Sequence, residues 1–528
     1  MADTYTPPAI GKPQPDATSS DYNTMSDYWC AVDAILGGAK TMRAAGQKYL
    51  PKFPNEDPDD YDFRRKNAKF TNVFRDIAEN LAAKPFTEEV SLKDGTASDR
   101  IKTLIEDIDG KGNHLNVFAQ STFFTGITYA ITWILIDYTK GVPPQATIAQ
   151  EKQLGARPYW VHIPAQRLIA IYSDVVGGVE VFTHARIKED AVQRVGYSEV
   201  TKKRVRVFNR EPVLGPDGNA TDYLPATWEL FEEQSLPGSL EKQWVSIDTG
   251  SVTIGVIPLV PFTTGRRIGS AWQLAPSMQD CVDLQIELYQ QESGLKNIKE
   301  SSAFPMVSGN GVAPVIGPDQ KPLPIKIGPK TVLYAPPRET GAVGHWMFIE
   351  PAATSMTFLA SDIQETIQQL RELGRQPLTA QTGNLTVVTT AFAAQKGNSA
   401  IQAWALNLKD SLENAFSITA KWLGETQEAE VDIDTDFDVG LNDDKDRDTL
   451  VAMRAANDIS QRTLWLEMQR RAVLSPDFDA DDEETALMNE IPSEPPLATT
   501  SFTGEPLLPP GPKPPVPAKV GPKAPAAA

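Results

Sequence analysis

Cysteine is nearly absent from this chain of 528 residues, which carries only Cys30 and Cys281, far apart in sequence. Neither a disulfide framework nor a CxxC metal or redox site can be built from that pair, so stability has to come from packing and assembly, in a chain suited to a reducing compartment. Histidine is almost as scarce. His114, His162, His184 and His345 fall in separate segments, none in an HExxH spacing or beside a spaced carboxylate pair, which leaves no pattern for metal or triad chemistry. Long apolar runs are missing too. The most apolar stretch, Ile127 to Ile136, is interrupted by Thr128 and Thr132 and falls far short of the roughly 20 apolar residues a spanning helix needs, so it is expected to be a buried strand, with no membrane contact. The polar, proline-dotted start from Met1 to Asp16 lacks the charged-then-apolar run of a signal peptide, so no export is expected.

Positive charge is the next deficit. The 50 Lys and Arg residues are outnumbered by 69 Asp and Glu, a formal charge of −19, the reverse of what a phosphate-gripping protein carries. Contact with DNA is therefore expected to be weak, local or sliding. Nucleotide-binding signatures are lacking as well. No GxxxxGK[ST] occurs, and Gly309-Asn310-Gly311 starts like a dinucleotide fingerprint but meets Pro314 where the third glycine belongs, so these read as turn glycines. No cofactor and no enzymatic activity are expected.

What is present is a 41 % hydrophobic composition, ample for a core, and strong periodicity. Helical spacing runs through Trp29, Val32, Ile35 and Leu36 and again through Phe70, Val73, Phe74, Ile77 and Leu81, separated by an extended connector at Tyr49 to Pro54. A third helix is predicted from Ser98 to about Thr125, ended by Gly126. Between Pro158 and Thr264 short Val-, Ile-, Tyr- and Trp-rich runs alternate with Gly177-Gly178, Gly215-Pro216-Asp217-Gly218 and Leu236-Pro237-Gly238, the mark of hairpins in an antiparallel sheet.

After Pro276 the pattern is helical on two faces, Met278, Cys281, Val282, Ile286 and Tyr289 on one and Leu284, Leu288, Leu295 and Ile298 on the other. Such a helix wants neighbours on two sides. An extended, Pro- and Gly-rich insert from Ala303 to Pro351 separates it from a second helix, about Ser355 to Gly374, striped by Leu359, Ile363, Ile367, Leu370 and Leu373. A polar stretch to Val388 leads into a longer helix, roughly Thr390 to Trp422, with Ile401, Ala405, Leu408, Leu412, Ala415, Thr419 and Trp422 in line and Gly397 as a kink candidate. An acidic strand at Val431 to Val439 and helices near Asp448 to Ala456 and Gln461 to Leu474, the latter capped by Ser460, precede a Pro/Ala tail from Pro492 expected to be disordered. The whole reads as an α+β chain.

Several charged clusters invite a functional reading. Asp432, Asp434, Asp436 and Asp438 resemble a calcium loop, but Phe437 stands where the turn glycine is required, and a strand with one carboxylate face accounts for the same alternation. Asp477, Asp479, Asp481 and Asp482 read as a solvated loop. Lys202-Lys203-Arg204-Val205-Arg206-Val207-Phe208 interleaves basic and apolar residues, more in keeping with an exposed sheet face than with a nucleic-acid site, since alternate residues of a strand face opposite sides. Arg371 and Arg375 stand at the end of the second helix, where cations complement the dipole and could also face a passing phosphate.

The order of elements, together with Gly46-Gln47-Lys48-Tyr49-Leu50-Pro51-Lys52, Tyr61-Asp62-Phe63-Arg64-Arg65, Arg157-Pro158-Tyr159-Trp160-Val161, Ile163-Pro164-Ala165, Asn384-Leu385-Thr386, Ser399 to Ala405 and Asp458 to Thr463, resembles the portal (head-to-tail connector) proteins of tailed bacteriophages over about Trp29 to Glu490. That resemblance implies a portal-type fold. Residues 1–24 would be a flexible arm, 25–274 a wing of helices followed by antiparallel sheet, 275–302 and 352–375 paired stem helices, and 303–351 a small clip. The tunnel loop would be 376–388, the long kinked helix and a wing strand 389–438, the helical crown 439–490, and the disordered tail 491–528.

It also implies a virion protein forming a homododecameric ring at one capsid vertex, assembled in the host cytoplasm, through which double-stranded DNA is packaged and ejected. Its partners would be the large terminase, a head-tail adaptor and the major capsid protein. Arg375, Gln376, Thr379, Gln381 and Asn384 would face the DNA. Met278, Val282, Leu284, Ile286, Leu288 and Leu295 would form the subunit interface, and Lys321, Lys326, Lys330 and Arg338 the docking clip. An acidic lumen would suit a conduit, because repulsion keeps DNA from sticking. The alternatives are another capsid component, scaffold or adaptor, and a calcium-dependent enzyme using the Asp432 to Asp438 run.

Overall fold

The computed structural model describes residues 14–139, 150, 153–216, 220–235, 242–269, 271–303, 306–310, 312, 316–318, 344–349, 353–374, 387–426, 429–435, 450–456, 458–470, 474 and 478–489. The chain divides into two units, Met1–Val439 and Gly440–Ala528.

Helix α1 (Ser20–Leu36) starts where the Ser19 side chain accepts a hydrogen bond from the Tyr22 N–H, satisfying one of the donors a helix start leaves open. The last five positions of the expected arm, residues 1–24, therefore belong to this helix. Met25, Tyr28, Trp29, Val32 and Ile35 are the buried face. Short α2 (Ala39–Ala45) follows, and then α3 (Pro58–Asn67), which apolar periodicity did not announce because its only buried side chains are Tyr61 and Arg64. Charge holds it instead, as Arg64 is buried against Glu56 at 2.7 Å. Its start is written locally, in the Asp57 cap and Pro58 in the first turn. Helix α4 (Val73–Ala83), capped by Asn72, buries Val73, Phe74, Ile77 and Leu81, the predicted stripe.

The helix expected over 98–125 is two helices, α5 (Asp99–Leu104) and α6 (Leu115–Tyr129). Between them lies Asp109-Gly110-Lys111-Gly112-Asn113, where Gly110 and Gly112 take φ of 73° and 85° and the Asp109 carboxylate accepts from the Lys111 N–H at 2.9 Å. Turn chemistry of this kind overrides helical spacing on either side. Gly126 does not end the helix. It lies within α6, and the helix stops at Ala130, whose φ of 68° is left-handed. A Cβ at Gly126 would meet Phe262 at 2.2 Å, so this glycine is present for close packing. The apolar run thus splits into helix up to Tyr129 and strand from Ile131.

Strand β1 (Ser91–Leu92) pairs across the unit with a later segment, while β2 (Ile131–Tyr138) is the middle strand of a three-stranded antiparallel sheet whose neighbours are β3 (Pro158–Pro164) and β13. A second antiparallel sheet runs in the order β12-β11-β8-β5-β4. Its members are β4 (Leu168–Val176), β5 (Val179–Lys188), β8 (Arg204–Asn209), β11 (Thr227–Ser235) and β12 (Lys242–Ser251). Hairpins β6 (Ala191–Val195)/β7 (Ser198–Lys202) and β9 (Pro212–Leu214)/β10 (Ala220–Tyr223) branch from it. The Gly177-Gly178 turn joins β4 to β5 as expected, with φ of 59° and 84°. Strands β13 (Leu259–Thr263), β14 (Arg266–Arg267) and β15 (Leu274–Ala275) close this half of the unit.

Helix α7 (Gln279–Ala303) is followed by β16 (Met306–Asn310), which pairs antiparallel with β17 (His345–Ile349), and the chain returns along α8 (Ala353–Leu373), packed on α7. Helix α9 (Val387–Leu423) runs without interruption through Gly397. Its second half lies on the three-stranded sheet. Ile401, Ala405, Leu408, Leu412, Ala415 and Thr419 are buried, Phe416 packs 4.7 Å from Trp160 of β3, and the Trp160 indole N–H donates to the Thr419 hydroxyl at 2.9 Å. Each fully buried side chain of this size contributes on the order of 1.5–3 kcal/mol.

The acidic strand is shorter than expected. Only β18 (Val431–Asp432) forms, paired with β1, and 433–435 leave the ladder, while 436–439 lie outside the described residues. In the second unit, residues 450–455 are helical, and α10 (Gln461–Arg470) begins where the Ser460 hydroxyl accepts from the Thr463 N–H at 3.1 Å. Helix α11 (Ala480–Asn489) corrects the loop expected there, because Asp479 caps it through the Asp481 N–H at 2.8 Å. Asp481 and Asp482 sit in its first turn, where carboxylates suit the dipole. The segments 303–305, 311 and 319–343, the stretch 375–386 and the tail from 490 fall largely or wholly outside the described residues or their described side chains.

Gly126→Ala is expected to destabilise the protein by about 1–3 kcal/mol in chemical denaturation, the cost of overpacking against Phe262, although alanine favours a helix.

Candidate functional site

With no catalytic pattern in the sequence, the candidate site is the assembly formed by α7, its strand-paired insert, α8 and α9. Its root is a polar seam. Gln285, fully buried on α7, accepts from the N–H groups of Val73 and Phe74 at 2.9 and 2.8 Å and donates to the Thr71 carbonyl at 2.9 Å. A side chain from α7 therefore caps the start of α4. Two turns on, the buried Glu292 accepts from the Thr71 N–H (2.8 Å) and hydroxyl (2.6 Å) and pairs with Lys69 at 2.7 Å. Lys296 donates to the Asn67 carbonyl at 2.6 Å. Burying a carboxylate is costly unless it is paired and hydrogen-bonded, and Glu292 is both. The spacing 285, 289, 292, 296 is one helical face. The apolar reading of α7 passed over it because only Tyr289 in it is hydrophobic.

The six residues proposed as a subunit interface are placed as follows. Met278, Val282, Leu288 and Leu295 are buried in the chain's own core, and Leu284 and Ile286 are partly buried against it. Most of both apolar faces of α7 is met within one chain, by α1, α3 and α4 together with α8, while Ile298 stays 38 % exposed, so the two-faced pattern does not itself require a neighbouring subunit. The contact of α7 with α8 is partly polar. Gln291 donates to Asp362 at 3.1 Å and accepts from the Thr366 hydroxyl at 3.0 Å. Beside it lies a cavity of about 280 Å³, lined by Leu295, Ala360 and Ile363, by Glu292 and Gln364, and by Lys69, Lys296 and Lys299.

Arg375, Gln376, Thr379, Gln381 and Asn384, expected to face DNA, lie outside the described residues, as do Lys321, Lys326, Lys330 and Arg338, expected to form a docking clip. The base of that insert is described. β16 and β17 form a five-pair ladder in which Gly309 faces Trp346, and a Cβ there would meet the indole at 2.7 Å. The Gly309-Asn310 pair is therefore strand rather than turn. Arg371, near the end of α8, pairs with Asp76 of α4 at 3.2 Å.

The basic run of β8 is neutralised in place. Arg206, 9 % exposed, lies 2.8 Å from both Asp137 and Glu189, and Arg204 lies 2.8 Å from Glu232, which also holds Lys202 at 3.4 Å. Among the described residues no group of three His, Cys, Asp or Glu side chains is placed to hold a metal ion, with Asp436 and Asp438 outside them. The histidines are dispersed. His114 caps α6, His184 contacts Asn209 at 3.2 Å, His345 is exposed on β17, and His162 meets the Thr132 hydroxyl at 2.7 Å. Burial, aided by the charges of Arg167 and Lys111, pushes the His162 imidazole down to about 4.

Residues 277–423, which span α7 to α9, match a protein family described as a domain of unknown function (DUF4055). No curated protein matches the chain. Among solved structures, a chain in the neck of an empty GTA particle, computed with C6 symmetry, is similar at 11 % identity and a TM-score of 0.39, covering 80 % of this chain and 96 % of that one. A chain in the neck of the native GTA particle, with C12 symmetry, gives 11 % and 0.39, with 81 % and 98 % covered. One in the virion of a native gene transfer agent (GTA) particle gives 11 % and 0.35, with 85 % and 99 % covered. Likenesses at these scores are too slight to carry an argument about function.

Gln285→Leu is expected to cost about 2–4 kcal/mol in equilibrium unfolding, because it strands two buried N–H groups at the start of α4, whereas Gln285→Glu, which keeps the acceptor, should lose less. For His162 the folded-state value lies below the unfolded one near 6.5, so the unfolded chain binds more protons between about pH 4 and 6.5, and stability falls as pH drops through that window. Acidification from pH 7 to 5 should remove about 1–2 kcal/mol of stability that His162→Gln no longer loses.

Proposed function

We propose that this chain is a ring-forming structural subunit of the portal type, a channel and docking platform at one vertex of a phage-like capsid. The observation that carries the reading is the succession α7, strand-paired insert, α8 and α9. Two consecutive helices leave and re-enter the domain around a ladder, and a 37-residue helix follows whose second half is seated on the central sheet. The family match over 277–423 covers that same segment. An extensive antiparallel sheet favours this reading over a scaffold, which would be mostly helical.

In this reading the chain assembles as a dodecamer, the insert between β16 and β17 is the clip that receives the large terminase and later a head-tail adaptor, and the wing faces the major capsid protein. Residues 376–388 approach the passing double-stranded DNA. A net charge of −19 then serves passage, since like-charge repulsion opposes adhesion of the duplex.

Negative-stain microscopy and mass photometry of the purified protein should show rings with a central hole, closed by rotation and built of about twelve copies as the portal resemblance implies. A strictly monomeric particle up to the highest soluble concentration would overturn the proposal.

A further inference from the structure

The two sides of α8 carry complementary surfaces. On one, Phe358 is 69 % exposed, and Glu365 and Glu372 follow it at seven-residue steps, both exposed and hydrogen-bonded to the Gln369 and Gln368 amides at 3.3 and 3.0 Å. Seven residues is nearly two helical turns, so the three form one stripe. Ala360, Ile363 and Gln364, which line the cavity between α7 and α8, lie about 140–240° further round the helix from Phe358.

That cavity has the opposite character. Leu295, Ala360 and Ile363 supply apolar walls, Lys69, Lys296 and Lys299 supply cations, and Glu292 and Gln364 complete the lining. Two carboxylates offset them, Glu292 through Lys69 at 2.7 Å and Glu300, 3.6 Å from Lys296. The local balance remains positive, in a chain whose overall charge is −19. An exposed phenylalanine flanked by glutamates on one side, and an apolar recess flanked by lysines on the other, are matched in shape class and in charge.

We infer that the occupant of the recess is a second copy of this chain, whose Phe358 enters between α7 and α8 while its Glu365 approaches Lys299. The contact is head-to-tail, because the two patches differ and lie on opposite sides of one helix. Contacts of that kind run on from copy to copy and close into a ring when the rotation permits. The inference rests on the ring reading above and deepens it by naming the contact.

The test is a charge exchange, with the full-length chain and mass photometry over a dilution series as readout. Lys299→Glu and Glu365→Lys are each expected to raise the concentration for half-assembly about tenfold, and Phe358→Ala to raise it by a similar factor. Both reversals in one chain should return assembly to within about threefold of the wild type, as should mixing the two single variants, because each then supplies the partner the other needs. Mixing also separates a lost contact from a lost fold, since misfolded variants would not rescue one another. If the wild type forms rings and the reversals assemble unchanged, or the exchange rescues nothing, this contact is wrong while the ring reading stands. A monomeric wild type overturns both.

Discussion

The arrangement depends on how α7 is held where it enters the domain. A helix that leads into an insert needs an anchor that fixes its rotation and its axial position together, and apolar packing alone tolerates small slips along and around the axis. Gln285 and Glu292 remove that freedom. Each accepts from N–H groups of the 71–74 turn, and Gln285 also donates to it, so a rotation of α7 would leave buried polar groups on both sides unpaired, at about 1–3 kcal/mol each. Cost of this kind makes a polar seam a device of register as much as of stability.

A second anchor fixes α9. Trp160 stands at the meeting of α6, the three-stranded sheet and α9, packed edge-on to Phe118 and close to Phe416, with its N–H given to Thr419. Further along the same helix, Ser411 donates to the Pro261 carbonyl at 2.9 Å and Trp422 to the Ile136 carbonyl at 3.3 Å. The helix is thereby pinned to β3, β13 and β2 in turn. The apolar stripe on the half seated on the sheet, from Ile401 to Thr419, was legible in the sequence, whereas the Ser411 anchor was not.

That contrast shows what a sequence yields and what it withholds. Periodicity identified α1, α4, α8 and α9 because each has one continuous apolar face, and glycine pairs identified the β4–β5 turn because left-handed backbone nearly demands them. It failed at α3, where a buried ion pair replaces apolar burial, and at Gly126, where a residue that ordinarily breaks helices is kept inside one by the ring of Phe262. It found the apolar residues of α7 but not what covers them, since a period records that a face is covered and never by whom. The seam at Gln285, Glu292 and Lys296 has helical spacing too, but polar residues at such spacing are the ordinary dress of a solvated face. The residues assigned by resemblance to the tunnel loop and the clip stand on that resemblance.

The β16–β17 ladder has a consequence for variation. Because it brings Asn310 and His345 into register, the stretch of chain between them begins and ends at one place, and its length is decoupled from the helices below. Closing a loop costs only about 0.6 kcal/mol more each time the loop doubles in length. The five paired positions therefore behave as a socket: the segment mounted in it is free to lengthen, shorten or change composition while α7 and α8 keep their spacing.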